Sequence, residues 1–173
     1  YADAAGYCGT DLSYEHVPGG IAVIGARKHV SNLSIPPVID GVTVVAIGEY
    51  AFRYCNNLRS IRLPSGVTEI GQGAFSGCSG LTQLQVAAGN PVYHSQGNCI
   101  IETATKILAV GCKESVIPID GSVTALGADA FSNCDSLTSV KIPSSVKTVD
   151  SRAFNDCDGL QNIVLPYSVT SIG

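Results

Sequence analysis

Seven cysteines and three histidines are the residues of this chain best suited to chemistry. A thiolate nucleophile needs a neighbouring base to lower its pKa, and Cys99, with His94 or His29, is the candidate pair. Cys99 lies in an apolar run and His94 beside a turn, which favours a packed thiol over a reactive one. A zinc knuckle would need cysteines at C-x-x-C spacing with histidines in company, and His16, His29 and His94 accompany no such pair. The acids Asp156 and Asp158 fall in a loop, where turn-forming aspartates are common. Gly25-Ala26-Arg27-Lys28 follows an apolar run, yet neither G-x-x-x-x-G-K-[ST] nor G-x-G-x-x-G is spelled out. The residues therefore point to no catalytic set, no metal and no cofactor, with a cysteine-dependent enzyme kept as the minor alternative.

Register explains four of the cysteines. Sliding the chain by 23 residues aligns Ile47, Ala51, Phe52, Cys55, Leu58, Ile61 and Leu63 with Ile70, Ala74, Phe75, Cys78, Leu81, Leu84 and Val86. The same shift aligns Leu126, Ala130, Phe131, Cys134, Leu137, Val140 and Ile142 with Val149, Ala153, Phe154, Cys157, Leu160, Ile163 and Leu165. A period of this size marks a stacked repeat protein, whose units close their cores only against neighbours. Cys55, Cys78, Cys134 and Cys157 then read as a column of buried, reduced thiols packing as small hydrophobes. Cys8, Cys99 and Cys112 lie outside the column. An odd total leaves at least one thiol free or paired between molecules, and a Cys99–Cys112 bridge stays open.

Each unit needs the same elements. LRSIRL (58–63), LTQLQV (81–86), LTSVKI (137–142) and LQNIVL (160–165) place apolar side chains at positions 1, 4 and 6, as expected of strands in a laterally stacked parallel sheet. Pro64, Pro143 and Pro166 end three of them. VTEIG, VTALG, VKTVD and VTSIG alternate as short second strands, closed by Gly48, Gly71, Gly127 and Gly173 in four copies and by Asp150 in one, a pattern that predicts a positive-φ turn. AFxxC suits one helical or 3₁₀ turn with Phe inward. Residues 1–33 read as an N-terminal cap, with strands LSYEHV and GIAVIGA joined at Pro18-Gly19-Gly20. Residues 34–173 carry the repeats. At about 84–116 the period is replaced by a hairpin-bearing variant, where CIIETATKILAV forms two strands around a Glu102–Lys106 turn and Tyr93-His94 projects from one face.

Composition narrows the function class. A formal charge of -4 with 14% charged residues, spread without runs, offers no nucleic-acid surface. No apolar stretch approaches the roughly 18–20 residues of a membrane span, so no membrane insertion is expected in this segment. The chain starts at Tyr1, contains no Met and stops in mid-repeat at Gly173, which is expected of an excised or processed piece of a longer array.

With LxxIxLP strands, VTxIG segments and AFxxC turns recurring together, the chain resembles the BspA-type leucine-rich repeats of bacterial and protist surface proteins. The insertion NPVYHSQGNCIIETATKILAVG resembles that family's hairpin-containing variant. The resemblance implies an α/β, β-rich fold: a right-handed leucine-rich-repeat solenoid with a parallel β-sheet on its concave face, short second strands and a one-turn helix per repeat. It implies a secreted or cell-surface, non-enzymatic domain for adhesion and protein-protein contact. On such a fold position 5 of each strand faces out, giving the column Arg62, Gln85, Lys141 and Val164, flanked by Arg59, Thr82, Gln83, Thr138, Ser139, Gln161 and Asn162. Arg62, Gln85, Lys141, Arg59 and Gln83 are the candidate binding residues, on a polar, mildly basic face without aromatic anchors. The expected partner is a protein or glycan on host or neighbouring cells. A structural spacer within a larger surface protein is the alternative.

Overall fold

The computed structural model describes residues 11–173. The described residues form fourteen strands and no helix. β1 (Leu12–Val17) and β2 (Gly20–Ala26) make the expected antiparallel hairpin through Pro18-Gly19, with Gly19 at a φ of 90°. β3 (Asn32–Ser34) follows, then β4 (Val38–Ile39), which lies antiparallel to β5 (Val42–Ile47). β2 stacks in parallel on β5, and β5 on β7 (Glu69–Ile70), so these are the second strands of successive coils. The first strands form their own ladder, β3 to β6 (Ser60–Leu63) to β8 (Gln83–Val86), in parallel register. The segment read as a cap thus brings two strands into the repeat stack itself.

The variant coil forms a three-stranded antiparallel unit. β9 (Tyr93–Gln96), β10 (Cys99–Glu102) and β11 (Ile107–Val110) pair in sequence, with the turn between β10 and β11 where the sequence places it. β11 then continues in parallel to β12 (Ala125–Leu126), β13 (Thr148–Val149) and β14 (Ser171–Ile172). The first-strand ladder does not continue. The Val86 N–H bonds the Ser95 Oγ of the hairpin at 3.1 Å, and LTSVKI and LQNIVL share only a Lys141–Val164 bridge. Hairpin side chains meet the open edge of β8, and Pro118 of the same coil has no N–H to carry the ladder onward.

The AFxxC segments are not helical turns, contrary to the sequence expectation. Ala51 donates to Gly48 O (3.3 Å), Arg53 to Tyr50 O (3.0 Å) and Cys55 to Phe52 O (3.0 Å), so only alternate residues make local bonds. The intervening N–H groups point sideways: Tyr50 donates to Gln72 O (3.1 Å), Phe52 to Ala74 O (2.8 Å) and Tyr54 to Ser76 O (2.9 Å) in the next coil. A helix directs every N–H along its own axis and leaves none for a neighbour, so lateral stacking selects linked turns instead. Alternate bonding requires positive φ at regular positions, which are Tyr50 and Tyr54, Gly73 and Gly77, Asp129 and Asn133, and Arg152 and Asp156.

The glycines that close the second strands are therefore not the positive-φ residues. Gly48, Gly71, Gly127 and Gly173 recur in register for space: a Cβ on Gly71 would stand 2.4 Å from the Glu49 N and 2.7 Å from the Gly48 carbonyl carbon. Coils approach backbone to backbone here. Inside the turns the phenylalanines stack in pairs, Phe52 on Phe75 and Phe131 on Phe154, each with centroids 5.2 Å apart. The buried apolar residues divide into two clusters, one running from Leu12 to Leu84 with Ile100, Val110 and Cys112, the other from Cys99 to Ala153.

Candidate interaction site

The cysteine column is packed as the register implies, and two of its turns add a specific contact. Cys55, Cys78 and Cys134 are buried, and Cys157 is half-buried. The Cys78 Sγ donates to the Phe52 carbonyl at 3.0 Å, and Cys157 does the same to Phe131 at 3.0 Å, so these two thiols pin their turns to the turns before them. Burial pushes Cys78, Cys134 and Cys99 up to about 12. Cys99 and Cys112 are both free thiols, while Cys8 lies outside the described residues. Cys112 Sγ reaches the Asn98 carbonyl at 3.6 Å and Cys99 Sγ the Gly97 carbonyl at 3.5 Å.

No thiolate pair forms at Cys99. The His94 Nδ1 bonds Thr103 Oγ1 at 2.8 Å instead, and His29 lies 3.5 Å from Asp11. A thiol at about 12 is neutral at physiological pH and is a poor nucleophile. Below the ordinary value of 9.0 both folded and unfolded chains keep these protons; above it only the unfolded chain releases them, so stability falls between pH 9 and about 12. At pH 8, N-ethylmaleimide followed by peptide mass spectrometry should, among the described cysteines, label Cys157 first, and Cys78, Cys99, Cys112 and Cys134 only as fast as the protein opens. Rapid labelling of Cys99 that rises well below pH 9 would reverse this assignment.

The structure divides the expected column: Arg62 and Gln85 share one ladder, while Lys141 and Val164 form a separate bridge beyond the hairpin coil. Arg62 sits beside Gln85 in register, with Ser34 on its other side, and Gln83 pairs with Ser60. Arg59, Arg62, Gln83, Gln85 and Lys141 are all exposed. Arg59 reaches the Gly80 carbonyl at 3.4 Å, whereas Arg62, Gln83, Gln85 and Lys141 have no side-chain partner among the described residues. The ladder brings Arg62, Gln83 and Gln85 onto one sheet. Lys141 is separated from them by the hairpin coil and pairs with Val164, which is 80% exposed.

Aromatic anchors exist, though on the turns and away from this ladder. Tyr50 and Tyr54 are 44% and 49% exposed, with the Arg53 guanidinium 5.2 and 4.8 Å from their ring centroids. Tyr54 Oη donates to Asn133 Oδ1 at 3.1 Å, tying this cluster to a later coil. The sequence signal was available: these are the two positive-φ positions, held by Gly, Asp, Asn or Arg in the other copies and by tyrosine only here. Gly73 and Gly77 in the next coil leave room for the two rings, since a Cβ on either would stand within 2.5 Å of a ring atom.

The model of the BspA type leucine-rich repeat region matches residues 22–103 and 109–173 in six copies. The chain belongs to this family. The BspA-type chain is similar to a leucine-rich repeat protein from Eubacterium ventriosum, with 26% identity and a TM-score of 0.67, covering 83% of this chain and 38% of that one. A leucine-rich repeat protein from Bacteroides ovatus gives 29% identity and a TM-score of 0.50 over 94% of this chain and 36% of its own length. A leucine-rich cell surface protein from Faecalibacterium prausnitzii shares the fold at 24% identity and a TM-score of 0.51, covering 96% of this chain and 50% of that one. The chain thus spans well under two thirds of the length of these relatives. No curated protein matches the sequence. Among the described residues no helix is long and apolar enough to cross a membrane.

Proposed function

We propose that this BspA-type repeat domain is a non-enzymatic, cell-surface or secreted interaction module whose first-strand face contacts a protein or glycan on host or neighbouring cells. The observation that carries this reading is the Arg62–Gln85 rung: two exposed polar side chains in register, with Gln83 on the same strand, none of which bonds another part of the described chain. Exposed ladders of unpaired donors on a rigid sheet are pre-organised for a partner, because the backbone geometry is already fixed by stacking. Arg59 and Lys141 extend the mildly basic character of the face. The surface location draws on the cell-surface description of the Faecalibacterium relative.

Charge reversal tests the proposal. Arg62→Glu with Lys141→Glu should lower adhesion to a panel of matrix proteins and cell surfaces about tenfold, equivalent to roughly 1.4 kcal/mol. Both residues are exposed, so circular dichroism should be unchanged. Unchanged adhesion with intact folding would leave the domain as a spacer.

A further inference from the structure

The variant coil leaves a cavity of about 450 Å³ between the turn at Gly71–Cys78 and the turn at Gly127–Cys134. Its cause is legible in the chain. Ala109-Val110-Gly111-Cys112 stands where the other coils carry a full AFxxC turn, and it is shorter and has no aromatic residue. Gly111 lies flat against Phe131, since a Cβ there would be 2.1 Å from a ring carbon, and its N–H bonds the Ala130 carbonyl at 2.8 Å. Among the described residues the turns on either side bond each other at their ends, through Gln72 Nε2 to Asp129 Oδ2 at 2.7 Å at one, and at the other through Gly77 N to Ser132 O at 3.1 Å, Ser76 Oγ to Ser132 O at 3.3 Å and Asn133 Nδ2 to Ser76 Oγ at 3.0 Å.

Between those ends the lateral ladder is incomplete. Tyr50 and Phe52 donate their N–H groups to the coil after them, and so do Asp129 and Phe131. The equivalent donors, Gly73 and Phe75, have no acceptor among the described residues, and the Ala128 carbonyl, equivalent to the Gln72 carbonyl that accepts from Tyr50, has no donor. All three residues line the cavity. Phe75 is stacked on Phe52 on one side, and among the described residues no ring stacks on its other side. Gly73 and Phe75 are buried and Ala128 half-buried, and two donors at alternate residues across the cavity from an acceptor have the spacing that the main chain of one further turn would satisfy.

We propose that this cavity binds a peptide segment of a partner protein, which supplies the missing turn. Two alternate carbonyls of the peptide accept from Gly73 and Phe75, one of its N–H groups donates to Ala128, and an aromatic side chain enters beside Phe75. The main-chain bonds select a polypeptide over a small aromatic molecule, in the way an added strand completes a sheet edge. The cavity volume lies within the roughly 300–1,000 Å³ of ligand sites. Glu102 and Asp150 also line it, while Asp129 is held by Arg152 at 3.1 Å. The two carboxylates without a cationic partner favour lysine or arginine next to the aromatic residue. This deepens the interaction-module reading at a second surface: none of Arg59, Arg62, Gln83, Gln85 or Lys141 lines the cavity.

A random nonapeptide library displayed on phage, selected on the whole chain, tests the proposal. Enriched peptides should share one aromatic residue flanked by lysine or arginine. Synthetic copies should lose affinity tenfold or more when that residue becomes alanine, and equally on a protein carrying Ala128→Trp, which fills the cavity. Should that variant not fold, Gln72→Trp blocks the mouth from an exposed position. Arg62→Glu should leave peptide binding unchanged, which separates this site from the strand face. Enrichment of no peptide sensitive to either tryptophan, or of peptides without an aromatic residue, would overturn the proposal. So would self-association of the chain that Gln72→Trp abolishes, because the occupant would then be a second copy.

Discussion

Phe131→Ala is expected to lower the unfolding free energy by about 3–5 kcal/mol. Phe131 is 1% exposed, stacks on Phe154 with centroids 5.2 Å apart and covers Gly111 of the variant coil. Its removal empties part of the second core cluster and enlarges the cavity that Phe131 already lines. Phe154→Ala should be milder, since that ring is only partly buried. Urea denaturation followed by tyrosine fluorescence and circular dichroism gives the difference. In a stack of nearest-neighbour contacts the loss should also be local: amide exchange should accelerate across residues 123–157 more than in β1, β2 and β5. Equal acceleration in both halves would show that the two clusters open as one unit.

Gly71→Ala should cost about 3 kcal/mol, a large effect for one methyl group. The added Cβ would meet Glu49 N at 2.4 Å, Gly48 C at 2.7 Å and Glu49 Cα at 2.8 Å, all backbone atoms that cannot rotate away. Relief requires coils to separate, which stretches the Gly71 N–H to Ile47 O bond of 2.8 Å and the Tyr50 N–H to Gln72 O bond of 3.1 Å. Gly127→Ala should cost less, because its nearest neighbours are a methyl group of Ile107 and one carbonyl oxygen, both at 3.0 Å. Asp150 at the same repeat position already shows that a side chain fits one level up. Gly89→Ala is the control for backbone strain alone, with a φ of 82° and nothing within 4 Å, and should cost about 1–2 kcal/mol. Thermal unfolding of the three variants ranks them; Gly71 no worse than Gly89 would mean the coils stack less tightly than the geometry implies.

The strand face and the cavity respond to different substitutions. Arg62 and Gln85 depend only on the first-strand ladder, which the hairpin terminates at β8. The cavity depends on the turn ladder, which the shortened segment at Ala109–Cys112 interrupts. A variant that weakens one surface should leave the other intact.

Register was legible from the residues alone. The 23-residue spacing of Phe52, Cys55, Leu58 and Ile61 places equivalent side chains at equivalent depths, so the buried column, the β1–β2 hairpin, the β10–β11 hairpin and the exposed position of Arg62, Gln85 and Lys141 follow from side-chain identity. The direction of the backbone hydrogen bonds was settled by stacking. AFxxC is compatible with a helical turn when read in isolation, and the neighbouring coil converts it to linked turns by accepting the N–H groups of Tyr50, Phe52 and Tyr54. The same contact assigns Gly71 to close approach and moves positive φ to Gly73 and Gly77. It also shows where a coil fails to accept, at Gly73 and Phe75, because an unpaired donor is defined by what stands opposite it and a single coil's sequence contains only its own half of that contact.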